Sequence, residues 1–315
     1  MFDKTRKHHH NNNNFNNRNC RRSPDCGPVC RWDFLEYRAS EYEQFWVNNV
    51  KNLQDGDICS ESNKHVTEID QWMALATSGH ATLPLSVFSR YVFRNNCSGE
   101  ELVDYIEPLA GLTRSPLYCL KGNNYVVRKD YLVVSWNVSR KISRNAYYFD
   151  LGASMYNSGG GGPSQSWFVE TYESRGIEWD GIYAWEASEY TPAVVWDAIP
   201  ARLKPIYHWY NIAVNPLPNH TDNPLEYIRR IARPEDFVLL KIDIDNTPVE
   251  EALVFQFMES AELLGLVDEF YFEHHVNVAP MHRHWGSESL YKKLEDTYSI
   301  FTTLRKNGVI AHSWV

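Results

Sequence analysis

The chain has 315 residues, 43% hydrophobic and 23% charged, an ordinary balance for a globular protein able to bury a core. Its formal net charge of −9 gives no electrostatic support for binding nucleic acid, so no nucleic-acid partner is expected. No apolar run approaches the length of a membrane span, so none is expected either.

Residues 1–30 are low-complexity: a His8-His9-His10 run, an Asn tract, then Arg and Cys. They read as a disordered, solvated tail. The opening MFDKTRKHHHNNNN does not read as a signal peptide. As written, the chain is expected to be soluble, in the cytoplasm or, if a further segment precedes Met1, in a secretory lumen. The six cysteines, Cys20, Cys26, Cys30, Cys59, Cys97 and Cys119, all lie before residue 147. The first three lack the paired CxxC spacing of zinc sites, and disulfides in an oxidising lumen are the alternative. Sequons at Asn96, Asn137 and Asn219 decide nothing about compartment.

Residues 31–146 read as a mixed extension that packs on the following domain and borders its active site. Within it, Phe34, Tyr37, Tyr42, Phe45 and Trp46 recur at loosely helical intervals across 33–50, whereas 126–138 is Val-rich and reads as extended.

From residue 147 the pattern is regular. Strands are expected at Tyr147–Leu151, Ile182–Glu186, 205–214, Phe237–Asp243 and Glu269–Glu273, with a last one at 309–315. A helix is expected over Ser164–Arg175, stopped by Gly176. A Thr247 N-cap, Pro248 and Glu250 predict a capping box that opens a second helix to about Ser260. A stripe of Leu290, Leu294, Tyr298, Phe301 and Leu304 predicts a third, ending at Gly308. This alternation is the signature of an α/β fold with a doubly wound, mostly parallel sheet occupying 147–315. Such sheets bind ligands at the carboxyl ends of their strands.

Polar residues recur at those ends. The first strand leads into Asp150-Leu151-Gly152-Ala153 and then four glycines, 159–162, where backbone can approach a ligand closely. The second ends at Glu186, placed to accept hydrogen bonds from ribose hydroxyls. The fourth ends at Asp243 with Asp245 beyond, and the fifth at Glu273-His274-His275. His274 or His275 is the natural general base, and at most one of them, because strand neighbours point to opposite faces. Asp243, Asp245 and Glu273 are candidates to hold Mg2+. His282 and His284 read as part of a substrate-side loop. Trp167, Trp179, Trp185, Trp196 and Trp209 read as core packing, or as a stacking surface for a ring-shaped or sugar-like ligand.

The segments YYFDLGAS, IYAWEA, YNIAV, FVLLKIDIDNTPVEEAL and FYFEHH together resemble the FkbM-type methyltransferases. The resemblance covers about half the chain, and its most specific piece is LLKIDID. It implies a Rossmann-like class I methyltransferase fold, S-adenosylmethionine as cofactor, and O-methylation of a small-molecule or carbohydrate acceptor. It implies further that Asp150, Gly152 and Ala153 line the methionine side, that Glu186 holds the ribose, that Asn211 and Ala213 sit near the adenine, and that Asp243 faces the methyl-transfer centre. The chain departs from the family pattern in the spacing of its glycines and in Asp245-Asn246 where the family has Glu-Gly. The closing hairpin is expected to be missing or to be supplied by the extension. Two other readings stand beside this one: a glycosyltransferase using Asp243-Ile244-Asp245 with Mn2+ and a nucleotide sugar, and a non-catalytic binding module on the same fold.

Overall fold

A computed structural model describes residues 30–53, 57–78, 83–135, 144–158 and 164–315. The expected disordered tail, the glycines 159–162 and part of the Val-rich stretch lie outside the described residues.

In the first part of the chain, β1 (Trp32–Arg38), β2 (Ser89–Asn95) and β3 (Glu101–Ile106) form an antiparallel sheet in that order. The helix expected over 33–50 is therefore half strand. Its aromatics pair across the ladder, Phe34 with Phe93 and Tyr37 with Tyr91, the latter with ring centroids 4.9 Å apart. The helix proper, α1 (Glu41–Asn49), starts where the Ser40 hydroxyl accepts from the Glu43 N–H at 3.0 Å. Then follow α2 (Asp57–Lys64), α3 (Val66–Ser78) and the short α4 (Leu117–Lys121). The described part of the Val-rich stretch, through Ser135, forms turns and irregular chain, not a strand. Its apolar residues Val126 and Leu132 to Val134 are buried individually, which β-propensity alone does not distinguish from sheet pairing. Disulfides join Cys30 to Cys97 and Cys59 to Cys119, so every cysteine among the described residues is paired.

The second sheet has six strands, all parallel: β4 (Ala146–Leu151), β5 (Gly181–Trp185), β6 (Tyr207–Tyr210), β7 (Phe237–Ile242), β8 (Glu269–Phe272) and β9 (Ile310–Ser313). Their spatial order is β6-β5-β4-β7-β8-β9. The chain winds outward from β4 to β6, returns to β7 on the other side of β4, and winds outward again, leaving a switch point between β4 and β7. Between strands run α5 (Ser164–Ser174), α6 (Pro192–Ala198), α7 (Pro224–Ile231), α8 (Thr247–Glu259), α9 (Ala261–Leu264), α10 (His282–Trp285) and α11 (Leu294–Lys306). The sheet closes on β9 itself. The extension adds no strand to it among the described residues, so of the two expectations for the closing hairpin its absence is met and its supply by the extension is not.

Two helix boundaries differ from the sequence pattern. Asn246, not Thr247, caps α8, its side chain accepting from the Val249 N–H, while Glu250 accepts from the Ile244 N–H at 2.7 Å. Leu290 belongs to a separate 3-10 turn, Ser287–Tyr291, before α11.

Alternate residues of the central strands feed two apolar clusters. Phe149, Leu151, Leu240 and Ile242 pack with α7, α8 and α11, and Tyr148, Phe237 and Leu239 pack with Phe168, Val169 and Tyr172 of α5. Trp46 of α1 joins the first cluster and Trp72 of α3 the second, so residues 31–146 share both cores with residues 147–315. Of the five tryptophans singled out, Trp179 and Trp185 are buried, and Trp167, Trp196 and Trp209 pack half-buried against the second cluster.

A belt of buried charge also joins the two parts. Arg305 of α11 donates to Glu43 at 2.7 Å and to the Glu107 carbonyl at 3.1 Å. His312 of β9 bridges Glu107 at 2.8 Å and Glu269 at 2.9 Å. Glu43 also accepts from Ser89 and from the Leu109 N–H. All five charged residues are at most 3% exposed. Burial alone would lower the His312 pKa, but Glu107 and Glu269 outweigh it and hold the imidazole up at about 9.

Candidate functional site

The carboxyl ends of β4, β5 and β7 meet at the switch point, and one glycine makes that meeting possible. Gly152 has φ +81°, and a Cβ built there would stand 1.6 Å from the Asp243 carbonyl oxygen. Only a residue without a side chain lets the two loops cross this closely. The Gly152 and Ala153 N–H groups donate to the Trp185 carbonyl, tying the turn to β5. Gly152→Ala is expected to cost about 3–5 kcal/mol of stability, because the backbone itself must move. Chemical denaturation checks this, and a loss under about 1 kcal/mol would mean that the Asp243 loop yields easily.

Directly below, Asp150 and Lys241 are cross-strand partners on β4 and β7, both side chains fully buried. The Lys241 ammonium donates to Asp150 at 3.0 Å and to the Gly152 carbonyl at 3.0 Å, and lies 3.3 Å from Asp243. Burial opposes its charge, yet the two carboxylates push its pKa up. Asp150 and Ala153 thus lie beneath the crevice as its foundation. Lys241 is the lone charge in the apolar run FVLLKI, and a charge so placed signals a buried partner.

Above this foundation lies a cavity of about 350 Å3 lined by Gly152, Ser154, Glu186, Ala213, Asp243 and Val249, among others. Glu186 accepts from the Ser154 N–H at 2.8 Å and the Ser188 N–H at 2.7 Å, which shapes the rim. Asn211 braces the same rim from behind. Its amide donates to the Glu186 and Ser188 carbonyls and accepts from the Tyr190 N–H. Of the pair expected near an adenine, Ala213 lines the cavity and Asn211 supports it.

A second cavity of about 350 Å3 adjoins the first and shares Gly152, Ser154, Asp243 and Asp245 with it. Its other walls include Arg114 and Val126 from the extension, then Glu273, His284, Trp285 and Trp314. The extension therefore borders the crevice. Glu273 pairs with Arg114 and accepts from the Trp285 indole N–H at 2.9 Å. Burial would raise the Glu273 pKa, but Arg114 and His275 hold it well below the usual range. Burial raises that of Asp243, opposed by Lys241 and reinforced by Glu273 and Asp245.

The two histidines after β8 part company, as strand alternation requires. His274 turns to the helices, meeting Thr297 at 2.9 Å and Glu251 at 3.4 Å, away from the crevice. His275 turns toward Glu273 and Asp245, its Nε2 3.5 Å from the first and 4.0 Å from the second. Among the described residues, the three whose potential ligand atoms converge, all within 4.8 Å, are Asp245, Glu273 and His275. Asp243, expected among the metal ligands, is instead engaged by Lys241. His284 reaches the second cavity, while His282 bonds Asn277 at 2.7 Å. Arg114 gave no signal in the sequence, because it comes from irregular chain far from the strand pattern.

No helix among the described residues is long and apolar enough to cross a membrane. Comparison of the chain with protein-family models, with curated proteins and with solved structures finds no significant match.

Proposed function

We propose that the chain is an S-adenosylmethionine-dependent methyltransferase with a Rossmann-like class I sheet, acting on a hydroxyl of a small-molecule or carbohydrate acceptor. The observation that carries this reading is the pair of cavities meeting at Gly152, Ser154, Asp243 and Asp245, one sized for a nucleoside ligand and one for an acceptor.

The residues present fit the cofactor. Glu186 keeps lone pairs beyond its two backbone bonds, enough to accept from ribose hydroxyls. Gly152 holds nothing between ligand and backbone. The Asp245 carboxylate favours a positively charged sulfonium over a neutral ligand. When bound, that cofactor supplies an electrophilic methyl group, and the protein's part is alignment and proton removal. Asp243 stands at the shared wall with its proton affinity raised by burial, which suits it to accept the hydroxyl proton. Lys241 keeps that carboxylate in place. The two disulfides favour an oxidising compartment.

Calorimetry of the full chain with S-adenosylmethionine and with its demethylated product tests the reading. Binding of both is expected, weakened about tenfold or more by Glu186→Gln, which removes a charged acceptor. No heat from either ligand at millimolar concentration sinks the proposal. Stabilisation by a nucleoside diphosphate with Mn2+, without response to the methyl donor, assigns the crevice to a glycosyltransferase instead.

A further inference from the structure

We propose that Asp245, Glu273 and His275 form a binding site for a single divalent transition-metal ion, of the Mn2+, Fe2+ or Zn2+ class, beside the second cavity. The site is read from the side chains alone. Its role, holding the oxygen of an acceptor hydroxyl, rests on the methyl-transfer reading.

Geometry comes first. Metal–nitrogen and metal–oxygen bonds of about 2.1 Å place two ligands of one ion at most about 4.2 Å apart. His275 Nε2 lies 3.5 Å from Glu273 Oε2 and 4.0 Å from Asp245 Oδ1, inside that limit. The three ligand atoms lie within 4.8 Å of one another. Asp245 is on the surface, where rotation about its side-chain bonds closes the remaining gap.

The imidazole supplies an independent sign. The His275 side chain is 5% exposed and its Nε2 points between two carboxylates, yet the nearer oxygen, Glu273 Oε2, stands 3.5 Å away, too far for a well-formed hydrogen bond. A buried polar atom without a well-formed hydrogen bond is costly, and such atoms are rare. Coordination removes that cost.

The surroundings are built as an outer shell would be. Arg114 and the Trp285 N–H engage Oε1 of Glu273, leaving Oε2 to face His275. The Trp285 ring stacks on the His275 ring at 5.6 Å and fixes its plane. Charge agrees: among the described residues, the four acidic groups Asp150, Asp243, Asp245 and Glu273 outnumber the permanent cations that act on them, Lys241, Arg114 and Lys129. An imidazole with two carboxylates suits a borderline transition metal better than Ca2+ or Mg2+, which take oxygen ligands. An ion there favours the deprotonated form of a bound hydroxyl, at a cavity wall formed by two of its ligands, Asp245 and Glu273.

The test is a Mn2+ titration of the full chain, read by loss of the free-ion electron paramagnetic resonance signal. The His8-His9-His10 run is a second source of imidazole, so the parent carries His8→Ala, His9→Ala and His10→Ala. About one Mn2+ per chain is expected. His275→Ala and the surface variant Asp245→Asn are each expected to weaken it about tenfold or more, and Glu186→Gln to leave it unchanged. Asp245→Asn keeps the test decisive if His275→Ala fails to fold, since Asn accepts the positive φ of 58° found at Asp245. No uptake at millimolar Mn2+, or uptake indifferent to both variants, overturns the site. Uptake of Mn2+ without any binding of the methyl donor keeps the site and rejects the methyl-transfer reading.

Discussion

Arg305→Met is expected to lower the free energy of unfolding by about 3–5 kcal/mol, the usual cost of removing one partner from a buried charge pair. Met fills most of the volume, so the loss reports charge and hydrogen bonding more than packing. Three carboxylates explain the size of the effect. Arg305 faces Glu43 at 2.7 Å and Glu107 at 3.7 Å, and His312 then links Glu107 to Glu269. Without the guanidinium, Glu43 keeps only the hydroxyls of Tyr37 and Ser89 and the Leu109 N–H. Chemical denaturation gives the number. The double variant Glu43→Gln with Arg305→Met removes the stranded charge and is expected to regain part of the loss, as a cycle over two contacting residues should. If Arg305→Met unfolds within about 0.5 kcal/mol of the parent, the belt does not hold the two parts of the chain together.

The belt also shows what a sequence does and does not display. The parallel sheet was legible because a strand buried on both faces must be apolar throughout, and FVLLKI has little other way to fold. Strand ends were legible for the same reason: the first polar residue after such a run, Glu186 or Asp243, marks where the sheet meets solvent. Pairings between distant segments leave no such periodic trace. Glu43 and Arg305 are 262 positions apart, and Arg114 and Glu273 are 159 apart. Each looks like an ordinary surface charge until the fold buries it. The same limit explains the proposed metal ligands. Asp243 and Asp245 are equivalent in the sequence, but Lys241, one pleat below, draws Asp243 inward, and the left-handed φ at Asp245 turns the next carboxylate out toward His275. Choosing between His274 and His275 needed the strand's phase, which Glu273 supplies once β8 is placed. In the extension, Phe34 and Tyr37 are three apart, which is helical spacing; a β-bulge between Phe34 and Glu36 is what brings both rings to Tyr91 on one face of a strand.

Lys241→Met is expected to cost a similar 3–5 kcal/mol and, separately, to abolish ligand binding in the first cavity. The two effects come from different bonds. Stability is lost because Asp150, fully buried, is left without its cation. Binding is lost because the ammonium also holds the Gly152 carbonyl and the Asp243 carboxylate, which form the floor shared by both cavities. Adding Asp150→Asn to Lys241→Met neutralises the stranded charge, so most of the stability is expected to return. Binding is not, because nothing restores the anchor under Gly152 and Asp243. Denaturation and calorimetry on the same three proteins therefore separate a foundation from a merely stabilising pair. If the double variant regains both, Lys241 only balances charge. If it regains stability alone, the ammonium positions the site, and the Lys of LLKIDID is there for the crevice above it as well as for the core around it.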